Sequence, residues 1–134
     1  MSRWLLALTA GIWISGTPAG AHHSLSDYDS SRQSTLEGIV AQFQFVNPHP
    51  FVVLDVKDRS GAVEQWRLEM DNRHELTDIG MTKDTLKPGD RLVISGNAGR
   101  TQPRILYIRK LDRPADGYGF EQVGNRPQLR GRPR

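Results

Sequence analysis

The chain contains no cysteine. That absence excludes disulfides, thiolate metal sites and a cysteine nucleophile together, so the fold must hold by its apolar core alone. Aromatic residues are sparse, 7% of the chain. Beyond the first residues no apolar run is long enough to cross a bilayer. The usual marks of an enzyme are also missing. No serine sits in a nucleophile elbow, no glycine-rich loop is built to cradle a phosphate, and no pair of carboxylates stands out. A non-catalytic protein is expected.

What is present begins with an export signal. Arg3 supplies a positive start and residues 4–14 an apolar run. Ser15-Gly16-Thr17-Pro18 breaks that run, and Ala19-Gly20-Ala21 offers the small-x-small cleavage site of a signal peptide spanning residues 1–21. A periplasmic or secreted protein with no integral membrane span after processing follows. With 134 residues and no repeat, one small domain is expected. The net charge of +3 is unevenly spread. Of the 18 Lys and Arg, Arg3 leaves with the signal, and Arg126, Arg130, Arg132 and Arg134 lie in residues 121–134 with Glu121. Roughly 13 bases and 14 acids remain in residues 22–120, about neutral. The body therefore carries no nucleic-acid-binding face.

Residues 22–34 read as a polar, extended arm with Leu25 and Tyr28 as its anchors. Residues 35–45 alternate as a long first strand, with a register slip near Ile39-Val40 and Gly38 suited to sharp curvature there. The motif Asn47-Pro48-His49-Pro50 follows. Each proline biases the residue before it away from helix, so His49 is expected on a stiff bend. Phe51-Val52-Val53-Leu54-Asp55-Val56 is strongly β-forming, Asp58-Arg59-Ser60-Gly61 is a turn, and residues 63–70 alternate, which makes a hairpin. Asp71 or Asn72 caps a short helix that Gly80 stops, with Leu76 and Ile79 facing the core. Lys87-Pro88-Gly89-Asp90 turns the chain into a fourth strand, residues 97–104 form a polar loop, and residues 105–111 are the fifth strand. The order predicts an all-β domain over residues 35–113: a small five-stranded OB-like barrel in Greek-key order, with one short helix between strands 3 and 4. An open β-sandwich is the alternative. Residues 114–134, rich in Gly, Pro and Arg, read as a disordered basic tail.

Four motifs in this order resemble a family of small exported bacterial proteins of unknown function. They are Ala21-His22-His23-Ser24 at the mature start, the Asn47-Pro48-His49 bend, Trp66 with Glu69 on the next strand, and Leu86-Lys87-Pro88-Gly89-Asp90. The resemblance covers residues 21–111 and implies export and a small β fold rather than an activity.

The residues themselves suggest a chemistry. Cleavage after Ala21 leaves His22 with a free α-amine, and that amine and its own Nδ1 close a six-membered chelate ring on a metal ion. Copper(II) displaces the amine proton near neutral pH and prefers a planar nitrogen set. His23 and His49 are the candidates for further nitrogens, and Glu69 for an axial oxygen or a supporting contact. Ser24 occupies the place where the other common N-terminal copper motif carries histidine. Against this stands a structural role for His49, its imidazole capping a backbone carbonyl. Trp66 reads as core and His74 as a solvated helix residue. Strand parity turns Trp66 and Glu69 to opposite faces. The alternative function is a metal-independent OB-like module for a peptide, glycan or protein partner. The sequence does not fix the oligomeric state.

Overall fold

The computed structural model describes residues 25–132. The expected signal peptide and cleavage point, and His22 and His23, lie outside the described residues. After a single 3-10 turn, Leu25–Asp27, come β1 (Tyr28–Gln44), β2 (Phe51–Lys57), β3 (Val63–Glu69), the helix α1 (Arg73–Asp78), β4 (Arg91–Gly99), β5 (Ile105–Arg113), β6 (Tyr118–Val123) and β7 (Arg126–Arg130). The described residues form an all-β fold with one short α-helix, as expected, but with seven strands rather than five. They form one sheet in the order β3-β2-β1-β4-β5-β6-β7, with antiparallel neighbours. β3 also pairs in parallel with β5, from Arg67 opposite Ile105 to Glu69 opposite Tyr107.

β1 is long because it serves two partners. Its first part pairs with β4 and its last part with β2. The register slips between Val40 and Gln42, within a residue of the expected bulge. At Gly38 the chain passes so close to β2 that a Cβ would fall on the Asp55 carbonyl oxygen and 2.9 Å from Leu54 Cγ. Only glycine fits there. The expected arm divides at this strand: Tyr28 is already its first residue, and the Tyr28 side chain is buried while Leu25 is exposed.

The β2–β3 hairpin turns at Asp58, whose Oδ1 accepts from Ser60 N at 2.7 Å and Ala62 N at 3.0 Å. The Ser60 hydroxyl, which donates to the same oxygen at 2.6 Å, and then these backbone bonds hold the Asp58 carboxyl below the usual carboxylate range. Asn72 caps α1, its Oδ1 accepting from Glu75 N at 2.9 Å, and Gly80 follows with φ 98°. Leu76 on α1 packs into a core with Val52, Leu54, Leu68, Ile94 and Leu106, all fully buried. Each such side chain contributes about 1.5–3 kcal/mol by leaving water.

The expected disordered tail is a correction. Residues 118–130 fold back as β6 on β5 and β7 on β6. The glycines that read as signs of disorder are turn positions instead, Gly117 at φ 70° and Gly124 at φ 59°. Between them Tyr118, Phe120 and Gln122 alternate inward and are buried. Arg126, Pro127 and Arg130 sit on the outer strand β7, where proline and charge discourage further pairing. Arg113, at the end of β5, anchors the hairpin. Its fully buried guanidinium pairs with Asp116 through Nε and Nη2, both at 2.9 Å. It also donates to Thr85 O at 2.6 Å, reaches Asp90 at 3.2 Å and lies 4.7 Å from the Tyr118 ring centroid. Both of these acids favour its charged form, which burial opposes.

Candidate functional site

The Asn47-Pro48-His49-Pro50 corner lies between β1 and β2, and its Asn47-Pro48 bond is cis. With prolines at 48 and 50 the corner offers few N–H groups of its own, so it is held mainly by donors that come to its carbonyls. Arg73 N donates to Pro48 O at 2.9 Å and Met70 N to Pro50 O at 2.9 Å. His49 completes the attachment: its Nδ1 lies 3.1 Å from Met70 O. A carbonyl can only accept, so Nδ1 carries the proton in this bond, and in the neutral ring Nε2 keeps its lone pair. The imidazole therefore does cap a backbone carbonyl, while its other nitrogen stays in ligand form. The side chains around the corner are packed as well. The Arg67 guanidinium stands 4.1 Å from the Phe51 ring centroid, and that of Arg73 5.4 Å from Phe45.

Glu69 ends β3 and is buried. Its Oε2 accepts from the Tyr28 hydroxyl at 3.0 Å and lies 3.5 Å from Arg67 Nη1. Burial, and then the Glu69 charge, push the Tyr28 phenol far above the ordinary tyrosine range, so it remains a donor at any physiological pH. The Tyr107 ring lies 5.7 Å from that of Tyr28. Tyr28 and His49 are thus tied to consecutive residues, Glu69 and Met70. No described hydrogen bond or ion pair joins His49 to Glu69. Among the described residues no group of three His, Cys, Asp or Glu is placed to hold a metal ion. His23 and His22 lie outside them. His74 is solvated, 3.6 Å from Asp78, and Trp66 packs against the core. Among the described residues no helix is long and apolar enough to cross a membrane.

Sequence reasoning missed a cavity of about 260 Å³ where α1, β5 and β6 meet, lined by Leu25, Asp71, Glu75, Tyr107, Arg109 and Gln122 among others. Of the two cap candidates Asp71 and Asn72, Asn72 caps α1 and Asp71 does not. Its Oδ1 accepts from Asn72 N at 2.7 Å and its Oδ2 from Gln122 Nε2, also at 2.7 Å. Gln122 lay in the stretch read as tail. The alternation of Tyr118, Phe120 and Gln122 was the signal that could have placed it.

A family model described as "Family of unknown function (DUF6152)" matches residues 11–105. No curated protein matches the chain.

Proposed function

The chain belongs to that family, DUF6152, and on that premise we propose an exported, non-catalytic binding protein that takes copper(II) through the amino end left by cleavage after Ala21 and through His49. We read the domain as an OB-like barrel. The pairings β1–β2, β2–β3, β3–β5, β5–β4 and β4–β1 support this, since they return to the strand they start from. β6 and β7 are then additions to its edge.

The observation that carries the copper reading is the His49 ring. Nδ1 is engaged with Met70 O, which fixes the tautomer and orientation with Nε2 available, the arrangement that metal-ligating histidines share. The arm adds support. Tyr28 holds it at Glu69, one residue from Met70, and from Leu25 back to His22 is three residues, about 10 Å of extended chain. His22 would give its amine and Nδ1, with His49 and His23 supplying further nitrogens. Glu69, already engaged by Tyr28 and Arg67, fits a supporting role better than direct ligation. Titration of the processed protein with copper(II) should show one tight equivalent. Acetylating the α-amine should abolish it, and His49→Ala should weaken it about tenfold or more. Mass spectrometry that finds Ala21 still attached, or an unchanged affinity in His49→Ala, would overturn the reading.

A second reading, a metal-independent module for a peptide, glycan or protein partner, has its own observation. The outer surface of β1 to β3 bears a hollow of about 660 Å³ lined by Glu37, Ile39, Asp55, Lys57, Val63 and Arg91. Its apolar members Ile39 and Val63 are 43% and 58% exposed. Substituting both by serine should leave copper binding unchanged and remove partner binding if this reading holds.

A further inference from the structure

We propose that the cavity between α1, β5 and β6 is a binding site for a small zwitterion, an α-amino acid. The proposal concerns residues apart from the copper ligands and does not rest on the copper reading. Its starting point is Gln122, only 6% exposed. The Gln122 Nε2 donates to Asp71 Oδ2, and because a carboxylate only accepts, the orientation of the amide is fixed. That leaves Oε1 as a buried acceptor, and it has no partner among the described residues. A buried amide oxygen without a donor costs about 1–3 kcal/mol, so a donor brought to this wall of the cavity would gain that much by reaching it.

The neighbours indicate which donor. Asp71 and Glu75 bring two carboxylates to the same cavity. An ammonium group carries three N–H donors and a positive charge, and the carboxylates of Asp71 and Glu75 with the Gln122 oxygen offer three acceptor groups of the opposite sign. A hard metal ion fits less well. Calcium takes about six to eight oxygens, and among the described residues no group of three His, Cys, Asp or Glu is placed to hold an ion. Arg109 lines this cavity and the hollow beside it, and its guanidinium matches a carboxylate. Acceptors for an ammonium and a fork for a carboxylate in one space describe an amino acid. The volume of about 260 Å³ sits just below the range common for drug-sized ligands, which limits the occupant to a small one.

The test is a titration of the full exported chain followed by ¹⁵N–¹H NMR of the Gln122 side-chain amide, with L-alanine, methylamine, acetate and calcium chloride as probes. Saturable shifts with L-alanine are expected, with methylamine and acetate each weaker by about tenfold or more for want of one charge-assisted contact. Glu75→Gln should weaken L-alanine and methylamine but not acetate. Arg109→Met should weaken L-alanine and acetate but not methylamine. Glu75 and Arg109 are only half-buried, so both variants should fold, and a thermal melt checks this. No saturation with any probe, tighter binding of calcium than of L-alanine, or an L-alanine affinity unchanged in both variants would each overturn the proposal.

Discussion

The proline corner and the C-terminal hairpin make opposite points about the same chain. At the corner two prolines fix the local backbone and the surrounding structure adapts to it: Arg73 N, Met70 N and the His49 ring all bond across it. In the hairpin the local sequence is permissive. Glycine, proline and arginine suit a loose segment as well as a strand. What orders residues 118–130 is contact with the rest of the fold, through Phe120 and Tyr118 in the core and Arg113 bound to Asp116, Asp90 and Thr85. A local constraint shows in a short window of sequence, and a distant partner does not.

The largest expected effect breaks this comparison outright. Deleting residues 114–134 would leave a disordered-tail protein unchanged. Here it should abolish cooperative thermal unfolding, followed by circular dichroism, because it strips Tyr118 and Phe120 from the core and leaves Arg113 without Asp116. Next in size is Arg113→Met. It removes the guanidinium from Asp90, whose side chain is 11% exposed, and the donor from the buried Thr85 carbonyl, and should cost about 3 kcal/mol in urea denaturation.

A pH experiment sharpens the comparison, since Tyr118 belongs to the hairpin and Tyr28 bonds to Glu69, next to the Met70 that holds the corner. All three tyrosines of the chain, Tyr28, Tyr107 and Tyr118, have phenols pushed above their ordinary value of 10.0, burial being the largest cause in each. The fold favours the neutral phenol. The stability this gives is fully present below the ordinary value and is lost as pH rises through it towards the folded-state values. Absorbance near 295 nm, roughly where phenolate absorbs, should therefore show no tyrosine ionising in its normal range, followed by a cooperative rise coincident with alkaline unfolding. A tyrosine titrating normally in the folded protein would show that its region is open. The smallest effect belongs beside the corner: Asn72→Ala removes the cap of α1 and should cost about 1 kcal/mol in the same denaturation assay.

Much of the fold could be read in advance. The alternation along residues 63–69, the Asp58 turn, the Asn72 cap and the slip near Val40 were all legible, because each follows from side chains within a few residues of one another. The extra strands were not legible. Gly117 and Gly124 give the same local signal in a hairpin turn as in a flexible tail. The candidate sites divide in the same way. His49 on a stiff bend, its ring against a carbonyl, was foreseeable from Pro48 and Pro50. The meeting of Gln122 with Asp71, 51 positions apart, was not.

By itself the sequence determined that this protein is all-β, lacks every cysteine-based device, turns at a rigid histidine-bearing corner and carries one capped helix. These follow from backbone preference and short-range periodicity, which each segment expresses wherever it sits. Only the tertiary structure decided that β3 joins β5 and that Glu69 takes the Tyr28 hydroxyl. It alone turned the basic end into two strands closing a polar cavity over Asp71. Those outcomes depend on which distant groups are desolvated together, and burial is a property of the assembled chain rather than of any stretch within it.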